Sequence, residues 1–340
     1  MRILILAGGH SPERDVSLLS GARIANALSQ RGHEVLLLDL AAGLSRLPSR
    51  DEEELKALLF RKHRRYPLPA LGQAPPPETQ PCEKIGDNLL RICSLADRVF
   101  LALHGSVGEN GTLQAALSLY GIPYTGSDAV GSMLAMDKDL TKRLLLHAGI
   151  PTPEWMLLDP ANSLPDAVAA RVGFPCVIKP VCCGSSVGIS MVDSPEALPE
   201  AVAEAAKWNC AVMAERRIVG RELTVGILNG EPLPAVEIRP REGFYDYRNK
   251  YNGSTEELCP APLPPHLASR AAALSLGAFA ALRLGGYARI DFLLDEEERL
   301  WCLEANTLPG MTPTSLFPLA ASAAGIGYGE LCERILGINK

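Results

Sequence analysis

What this chain lacks narrows its function first. It has no positive surplus: 33 Lys and Arg stand against 39 Asp and Glu, a formal net charge of -6 at pH 7. Displacing counterions from nucleic-acid phosphates needs the opposite balance, so no nucleic-acid partner is expected. The one basic run, Arg61-Lys62-His63-Arg64-Arg65, follows an acidic run at Asp51–Glu54 and reads as a single solvated segment. None of the nine cysteines forms a C-x-x-C pair or a Cys-His cluster of zinc spacing. Cys182 and Cys183 are adjacent and could bond each other only under strain. Cys176, Cys302 and Cys332 lie in apolar runs and read as small buried hydrophobes, which favours a reducing compartment. The opening residues Met1–Ala7 lack a signal-peptide core with a cleavage site, and no run reaches membrane-spanning length. A cytoplasmic location without a membrane partner is expected. Gly8-Gly9 follows a strand but lacks G-x-G-x-x-G spacing, which argues against a nicotinamide-dependent enzyme.

What is present suits a soluble globular protein of two or three domains, since 340 residues exceed one ordinary core of roughly 100–150. Arg2–Ala7, a helical pattern over Asp15–Gln30 and the run His33–Leu40 make strand, glycine turn, helix and strand, the start of a parallel α/β sheet. Ala41–Asp87, with Pro75-Pro76-Pro77 and many charges, is expected to be a surface insertion. A strand at Arg98–Leu103 and a helix from Gly111 to Tyr120 follow, then one long helix over Ala129–His147. Strands are expected at Trp155–Leu158, Phe174–Pro180 and Ile189–Val192, with a helix at Pro195–Trp208. Then come a strand pair, Ala211–Ile218 with Glu222–Leu228, a strand at Leu233–Ile238 and a helix at Pro265–Leu284. The expected domains are 1–126, 127–214 and 215–340.

The most informative stretch is Tyr287–Gly310, two strand-like runs flanking the charged turn Asp295–Arg299. A hairpin symmetric about the Glu297–Glu298 bond sets Asp291 opposite Glu304 and Arg289 opposite Asn306. Alternation then turns all four to one face, leaving Ile290, Phe292 and Leu294 against Trp301, Leu303 and Ala305 on the core side. Charged strand residues usually form a solvated face. Yet opposed carboxylates destabilise a ladder unless something neutralises them. Two acids beside a guanidinium and an amide suit Mg²⁺ bridging phosphates, because magnesium takes few carboxylates and completes its shell with phosphate oxygens and water.

A second element, Lys179-Pro180-Val181-Cys182-Cys183-Gly184-Ser185-Ser186-Val187-Gly188, sets a lysine at a strand end before small residues whose N–H groups can approach phosphate. It is not a Walker A loop, because its lysine precedes the glycines. Alone it could be an ordinary Gly/Ser hairpin; beside the acidic hairpin it completes what ATP chemistry needs, a phosphate clamp and a metal site.

Together these residues resemble the ATP-grasp ligases, and the D-alanine–D-alanine ligase family in particular. Seven segments carry the resemblance over nearly the whole chain: Gly8–Ser17, Ala102–Gln114, Met136–Lys138, Lys179–Gly188, Phe244–Tyr251, Arg289–Asp291 and Glu304–Thr312. It implies an α/β protein, with a parallel-sheet N-terminal domain before an ATP-grasp fold that is α+β in the ATP-binding half. The implied reaction joins two D-alanines for peptidoglycan precursor synthesis: the carboxylate of one attacks the γ-phosphate of ATP, and the amine of the other attacks the acyl phosphate. ATP is the co-substrate with two Mg²⁺ ions, or Mn²⁺ in their place, and a homodimer is expected.

Carried over residue by residue, Glu13 resembles the carboxylate that holds the first ammonium, although Ser-Pro-Glu also reads as an ordinary acid opening a helix. Ser185 and Tyr251 match residues that link with it to shut the substrate loop. Lys138, Lys179 and Ser186 match ATP-phosphate contacts; for both lysines a solvated surface position is the plain alternative. Glu215 resembles the acid near adenine and Glu222 the ribose ligand. Asp291, Glu304 and Asn306 match the metal ligands; Arg289 and the Gly310 N–H match donors to the tetrahedral intermediate. Lys250, Ser315 and Leu316 resemble contacts to the second carboxylate. His104 matches a histidine near the substrates, or else caps a strand end.

The chain departs from the family pattern in two places. Val181-Cys182-Cys183 fills a position usually polar or basic, and adjacent thiols there suggest sensitivity to oxidation. Arg216-Arg217 stands where an aromatic often follows Glu-Lys; either guanidinium could stack on adenine. The alternatives are a ligase of the same fold taking D-serine or D-lactate second, and a non-catalytic nucleotide-binding regulator. The regulator would be expected to lose the metal acids or Arg289, and all are retained.

Overall fold

The computed structural model describes residues 1–70, 85–159, 165–184, 188–240 and 255–338. The first strands, β1 (Arg2–Ala7), β2 (Glu34–Asp39) and β3 (Arg98–Leu101), form a parallel sheet in the order β2-β1-β3. Buried on both faces, β1 reads as a near-continuous apolar run, with Ile3 to Ala7 fully inaccessible. The helix Arg14–Gln30 packs on β1 and β2. Gly8 turns the chain between them at φ +75°, and a Cβ there would meet Asp39 Oδ1 at 2.5 Å, so only glycine fits.

The segment after β2 is not wholly a surface insertion. Asp51 caps a helix, Glu52–Leu59, by accepting from the Glu54 N–H at 2.8 Å. That helix buries Leu55 completely, and Phe60 and Tyr66 join the same core. The Tyr66 hydroxyl donates to Val35 O at 2.8 Å and accepts from Leu37 N–H at 3.2 Å, strapping the open edge of β2. The basic run 61–65 is exposed, as expected.

The middle of the chain forms an antiparallel sheet, β4-β7-β5-β6, from β4 (Trp155–Leu158), β5 (Cys176–Pro180), β6 (Ser190–Val192) and β7 (Val212–Arg216). Helices Pro165–Arg171 and Leu198–Ala206 cover it through Val168, Leu198, Val202 and Ala205. A second antiparallel sheet runs β11-β10-β8-β12-β13, with β9 (Glu231–Pro232) beside β8 (Arg221–Leu228). Its other strands are β10 (Val236–Pro240), β11 (Thr255–Leu258), β12 (Tyr287–Leu294) and β13 (Leu300–Asn306). The expected strand pair therefore separates: β7 and β8 lie in different sheets, and 217–220 carry the chain across.

Helix Pro265–Ala281 backs the second sheet, and Ala135, Leu145 and Ile150 from the 129–150 region pack into the same core. The last two helices, Leu316–Ala323 and Tyr328–Ile335, return to the first core through Phe317, Ala320, Leu331 and Ile335. Arg98 Nη1 donates to Leu336 O at 2.5 Å, and Glu333 pairs with Arg31 at 2.6 Å and His33 at 3.0 Å. The first and last segments are thereby sewn into one body.

Candidate active site

The hairpin register at the acid end is the expected one: Asp291 pairs with Glu304, Ile290 with Ala305 and Arg289 with Asn306. A β-bulge then shifts it, so that Phe292 faces Cys302 and Leu294 faces Leu300. The extra residue is Leu303. The core face of β13 is accordingly Leu300, Cys302 and Ala305, and the expected places of Trp301 and Leu303 there are wrong. Trp301 is half-buried with its indole N–H on Asp295 Oδ2 at 2.8 Å, and Leu303 lines a cleft.

The opposed carboxylates are each neutralised. Arg289 holds Asp291 with a two-pronged contact, Nε to Oδ1 and Nη2 to Oδ2, both 2.9 Å. Thr224, opposite Asp291 on β8, donates to Oδ1 at 2.6 Å. Lys138 Nζ lies 3.3 Å from Glu304 Oε2. Among the described residues no three His, Cys, Asp or Glu side chains cluster as a metal cage. Two carboxylates and an amide, all oxygen donors, fit a hard cation that shares its shell with phosphate.

The expected single helix over 129–147 is two helices, Ala129–Met136 and Lys138–His147. Asp137 leaves the helical region at φ -82°, ψ 103° and caps the second helix by accepting from Leu140 N–H at 2.9 Å. The break turns Lys138 inward, where its side chain is 8% exposed and donates to Cys183 O at 2.6 Å. A solvated surface lysine is excluded. Burial works to lower its pKa, but the Glu304 charge outweighs it and the pKa is raised.

Lys179, at the end of β5, reaches Glu215 on β7 at 2.6 Å, and Lys142 takes the other carboxylate oxygen at 2.6 Å. Burial alone would raise the Glu215 pKa; the two ammonium charges bring it below the usual carboxylate range. Lys142 is wholly inaccessible, donates also to Thr152 Oγ1 at 2.6 Å and Pro153 O at 2.9 Å, and is pushed down to about 8 by burial. Sequence reasoning missed Lys142. The available signal was its place one helical turn after Lys138, on the same face. Arg216 pairs with Glu154 at 2.9 Å and Arg217 lies 3.6 Å from Asp193, both at the cleft rim.

Glu13 occupies the N-cap position of the helix Arg14–Gln30, yet its side chain makes no capping bond and lines a cavity instead. Glu13 thus opens the helix, as the plain reading has it, and faces the cavity as well. His104 is buried beside it. Glu109 was also missed. It accepts from Gly105 N–H at 2.5 Å and from Leu308 N–H at 3.2 Å, joining two loops 199 residues apart. Burial pushes its carboxyl up to about 7. Ser315 Oγ accepts from Thr312 N–H at 3.0 Å, and a Cβ on Gly310 would meet that oxygen at 2.7 Å, so a larger residue there would displace the Ser315 hydroxyl.

Two adjoining cavities collect these residues. The smaller, about 90 Å³, is lined by Glu13, His104, Asn306, Gly310, Ser315 and Leu316. The larger, about 760 Å³, runs between the two antiparallel sheets and is lined by Lys179, Glu215, Glu222 and Asp291. Lys138, Arg289 and Glu304 line both. Ser185, Ser186, Lys250 and Tyr251 lie outside the described residues.

A cleft between two antiparallel sheets, with lysines on one wall and paired acids on the other, is the ATP-grasp architecture, here preceded by a parallel-sheet α/β unit. Residues 2–127 match the family model described as the D-ala D-ala ligase N-terminus, and residues 144–337 match that of the C-terminus. The D-alanine–D-alanine ligase of Bordetella petrii is 41% identical, covering 98% of this chain and 91% of its own. That of Methylacidiphilum infernorum is 38% identical, covering 99% and 95%. Among solved structures, the D-alanine–D-alanine ligase of Bacillus anthracis superposes with a TM-score of 0.78 at 32% identity, covering 99% of this chain and 96% of that one. A form of it complexed with ATP gives 0.77 at 30% identity, with the same coverage. The chain belongs to the D-alanine–D-alanine ligase family.

Proposed function

We propose that this protein joins two D-alanines to D-alanyl-D-alanine, converting ATP to ADP and phosphate. The observation that carries it is the junction of the two cavities: Lys138, Arg289 and Glu304 line both, so a nucleotide phosphate in one meets an amino-acid carboxylate in the other. Glu13 holds the first ammonium while that carboxylate attacks the γ-phosphate. Lys138 and Lys179 bind the phosphates with Ser186, Glu215 lies toward adenine and Glu222 toward ribose. Asp291, Glu304 and Asn306 would hold Mg²⁺, as two ions, or Mn²⁺; when bound, the metal neutralises phosphate charge.

The second amine attacks the carbonyl of the acyl phosphate, and phosphate leaves. Arg289 and the Gly310 N–H donate to the oxygen that gains negative charge, and one such donor is typically worth about 2.7–4 kcal/mol. Lys250, Ser315 and the Leu316 N–H hold the second carboxylate, and His104 lies beside both substrates. Ser185 and Tyr251 close over the site with Glu13. The domain limits 1–126, 127–214 and 215–340, the cytoplasmic location and the homodimer belong to the same reading. Exposed Leu119, Tyr120 and Met133, on neighbouring helices, offer apolar surface for a dimer. No helix among the described residues is long and apolar enough to cross a membrane.

Phosphate release with ATP and Mg²⁺ tests the reaction, with products identified by mass. The substrates are D-alanine, L-alanine, D-serine with D-alanine, and D-lactate with D-alanine. The dipeptide from D-alanine alone is expected. Reaction of only the mixed pairs would overturn the second substrate, and no release with ATP still bound would favour a regulator.

A further inference from the structure

The sequence offers Cys182 and Cys183 as neighbours that cannot readily bond each other. The fold supplies a third thiol. Antiparallel pairing of β5 with β7 sets Lys179 against Met213 and Pro180 against Val212, and the Val181 N–H then donates to Ala211 O at 2.8 Å. Followed one residue further, the same register brings Cys182 opposite Cys210. The Cys182 N–H donates to Cys210 Sγ at 3.4 Å, and the Cys210 thiol is in hydrogen-bonding contact with those of both Cys182 and Cys183. Directly opposed residues of an antiparallel pair have Cα atoms about 4.5–5.5 Å apart, within the span a disulfide bridges. All three side chains are at least partly exposed, unlike the buried Cys93, Cys176, Cys302 and Cys332. Accepting from two neighbouring thiols holds the Cys210 pKa below the ordinary thiol range, which favours it as the attacking sulfur.

The location gives a bond here a consequence. Val181 O accepts from the Lys138 N–H at 3.2 Å, and Cys183 O accepts from Lys138 Nζ at 2.6 Å. Cys183 lines both cavities. The residues after Lys179 thus root the glycine-rich loop directly over a phosphate lysine, within reach of Cys210.

We propose that Cys182 and Cys210 are a site of reversible oxidative modification, closed to a disulfide by a hydroperoxide, that governs ATP use by this protein. The Cys210 sulfur attacks one peroxide oxygen, the O–O bond breaks, and water (or an alcohol) leaves a sulfenic acid. The Cys182 sulfur then attacks that sulfur, the S–O bond breaks, and water departs with the remaining protons. Two thiols are oxidised and one peroxide is reduced. Converting a non-bonded contact into a covalent bond draws the loop root onto β7 and away from Lys138.

The full-length protein, reduced and then exposed to hydrogen peroxide, is digested without reductant and its linked peptides are sequenced by mass spectrometry. A Cys182–Cys210 bond is expected, with a several-fold rise in the KM for ATP that dithiothreitol reverses. Cys210→Ser and Cys182→Ala should keep the untreated KM and lose the peroxide response. A bond from Cys210 to Cys183 would overturn the pairing. An unchanged KM in the bonded protein, or a peroxide response in either variant as large as that of the wild type, would overturn the regulatory role.

Discussion

The two cavities are built in opposite ways. The larger cleft takes its lining from strands: Lys179, Glu215, Glu222, Asp291 and Glu304 project from β5, β7, β8, β12 and β13, where alternation fixes which residues face the ligand. The smaller one shares Arg289, Glu304 and Asn306 of the hairpin but takes its other walls from loops and helix ends supplied by distant parts of the chain, with Glu13, His104 and Gly310 brought together by packing of the first and last segments. Strand geometry gives the cleft a rigid charge pattern. The smaller cavity instead depends on docked loops, held by contacts such as Glu109 with Leu308 N–H.

The largest effect is expected where the cavities meet. Arg289→Gln should lower kcat by about 10²–10³-fold, the cost typical of a lost oxyanion donor. Phosphate-release assays together with circular dichroism would check that chemistry and not folding is affected. A fall smaller than tenfold would remove Arg289 from the chemistry.

Lys142→Met tests the cleft alone. Breaking the buried Lys142–Glu215–Lys179 group should destabilise the protein by about 3 kcal/mol. Lys179 loses its fixed counterion geometry, so the KM for ATP should rise while that for D-alanine stays near its original value. Thermal unfolding and the two KM values decide; equal rises in both would break the distinction between cavities.

Glu109→Gln tests the smaller cavity. The folded carboxyl titrates near 7 against an ordinary 4.5, so its proton is held more tightly in the folded state. The corresponding stability is present below 4.5 and is lost as pH rises toward 7. The wild type should therefore lose melting temperature across that window relative to the variant. Parallel pH–Tm curves would refute the assignment.

Tyr66→Phe, remote from both cavities, should cost about 1–2 kcal/mol through its lost hydrogen bonds at the β2 edge and leave both KM values unchanged.

The same contrast explains what the sequence reveals. Asp291 opposite Glu304 is legible because a period of two and a charged turn suffice to set a hairpin register. The bulge at Leu303 is not, since nothing in L-W-C-L-E-A-N distinguishes an extra residue from a longer turn. The break at Asp137 escaped because apolar spacing continues across it, although aspartate before a helical run is a cap signal. Separation of β7 from β8 follows from tertiary pairing alone. The docking role of Glu109 gave no local sign, because Leu308, the distant one of its two partners, lies 199 residues away. Glu13, His104 and Gly310 were singled out through the resemblance; periodicity pointed to none of them.

The bulge has a practical side. It absorbs one residue between the acids and the turn, while β8 pins Asp291 from the opposite edge through Thr224. The spacing of Asp291 and Glu304 is therefore set by neighbouring strands and is indifferent to the length of the turn. Residues Glu296, Glu297 and Glu298 are exposed at its tip. That tip is a handle at which a fluorophore or affinity peptide could be grafted, reporting from the hairpin without touching the cleft.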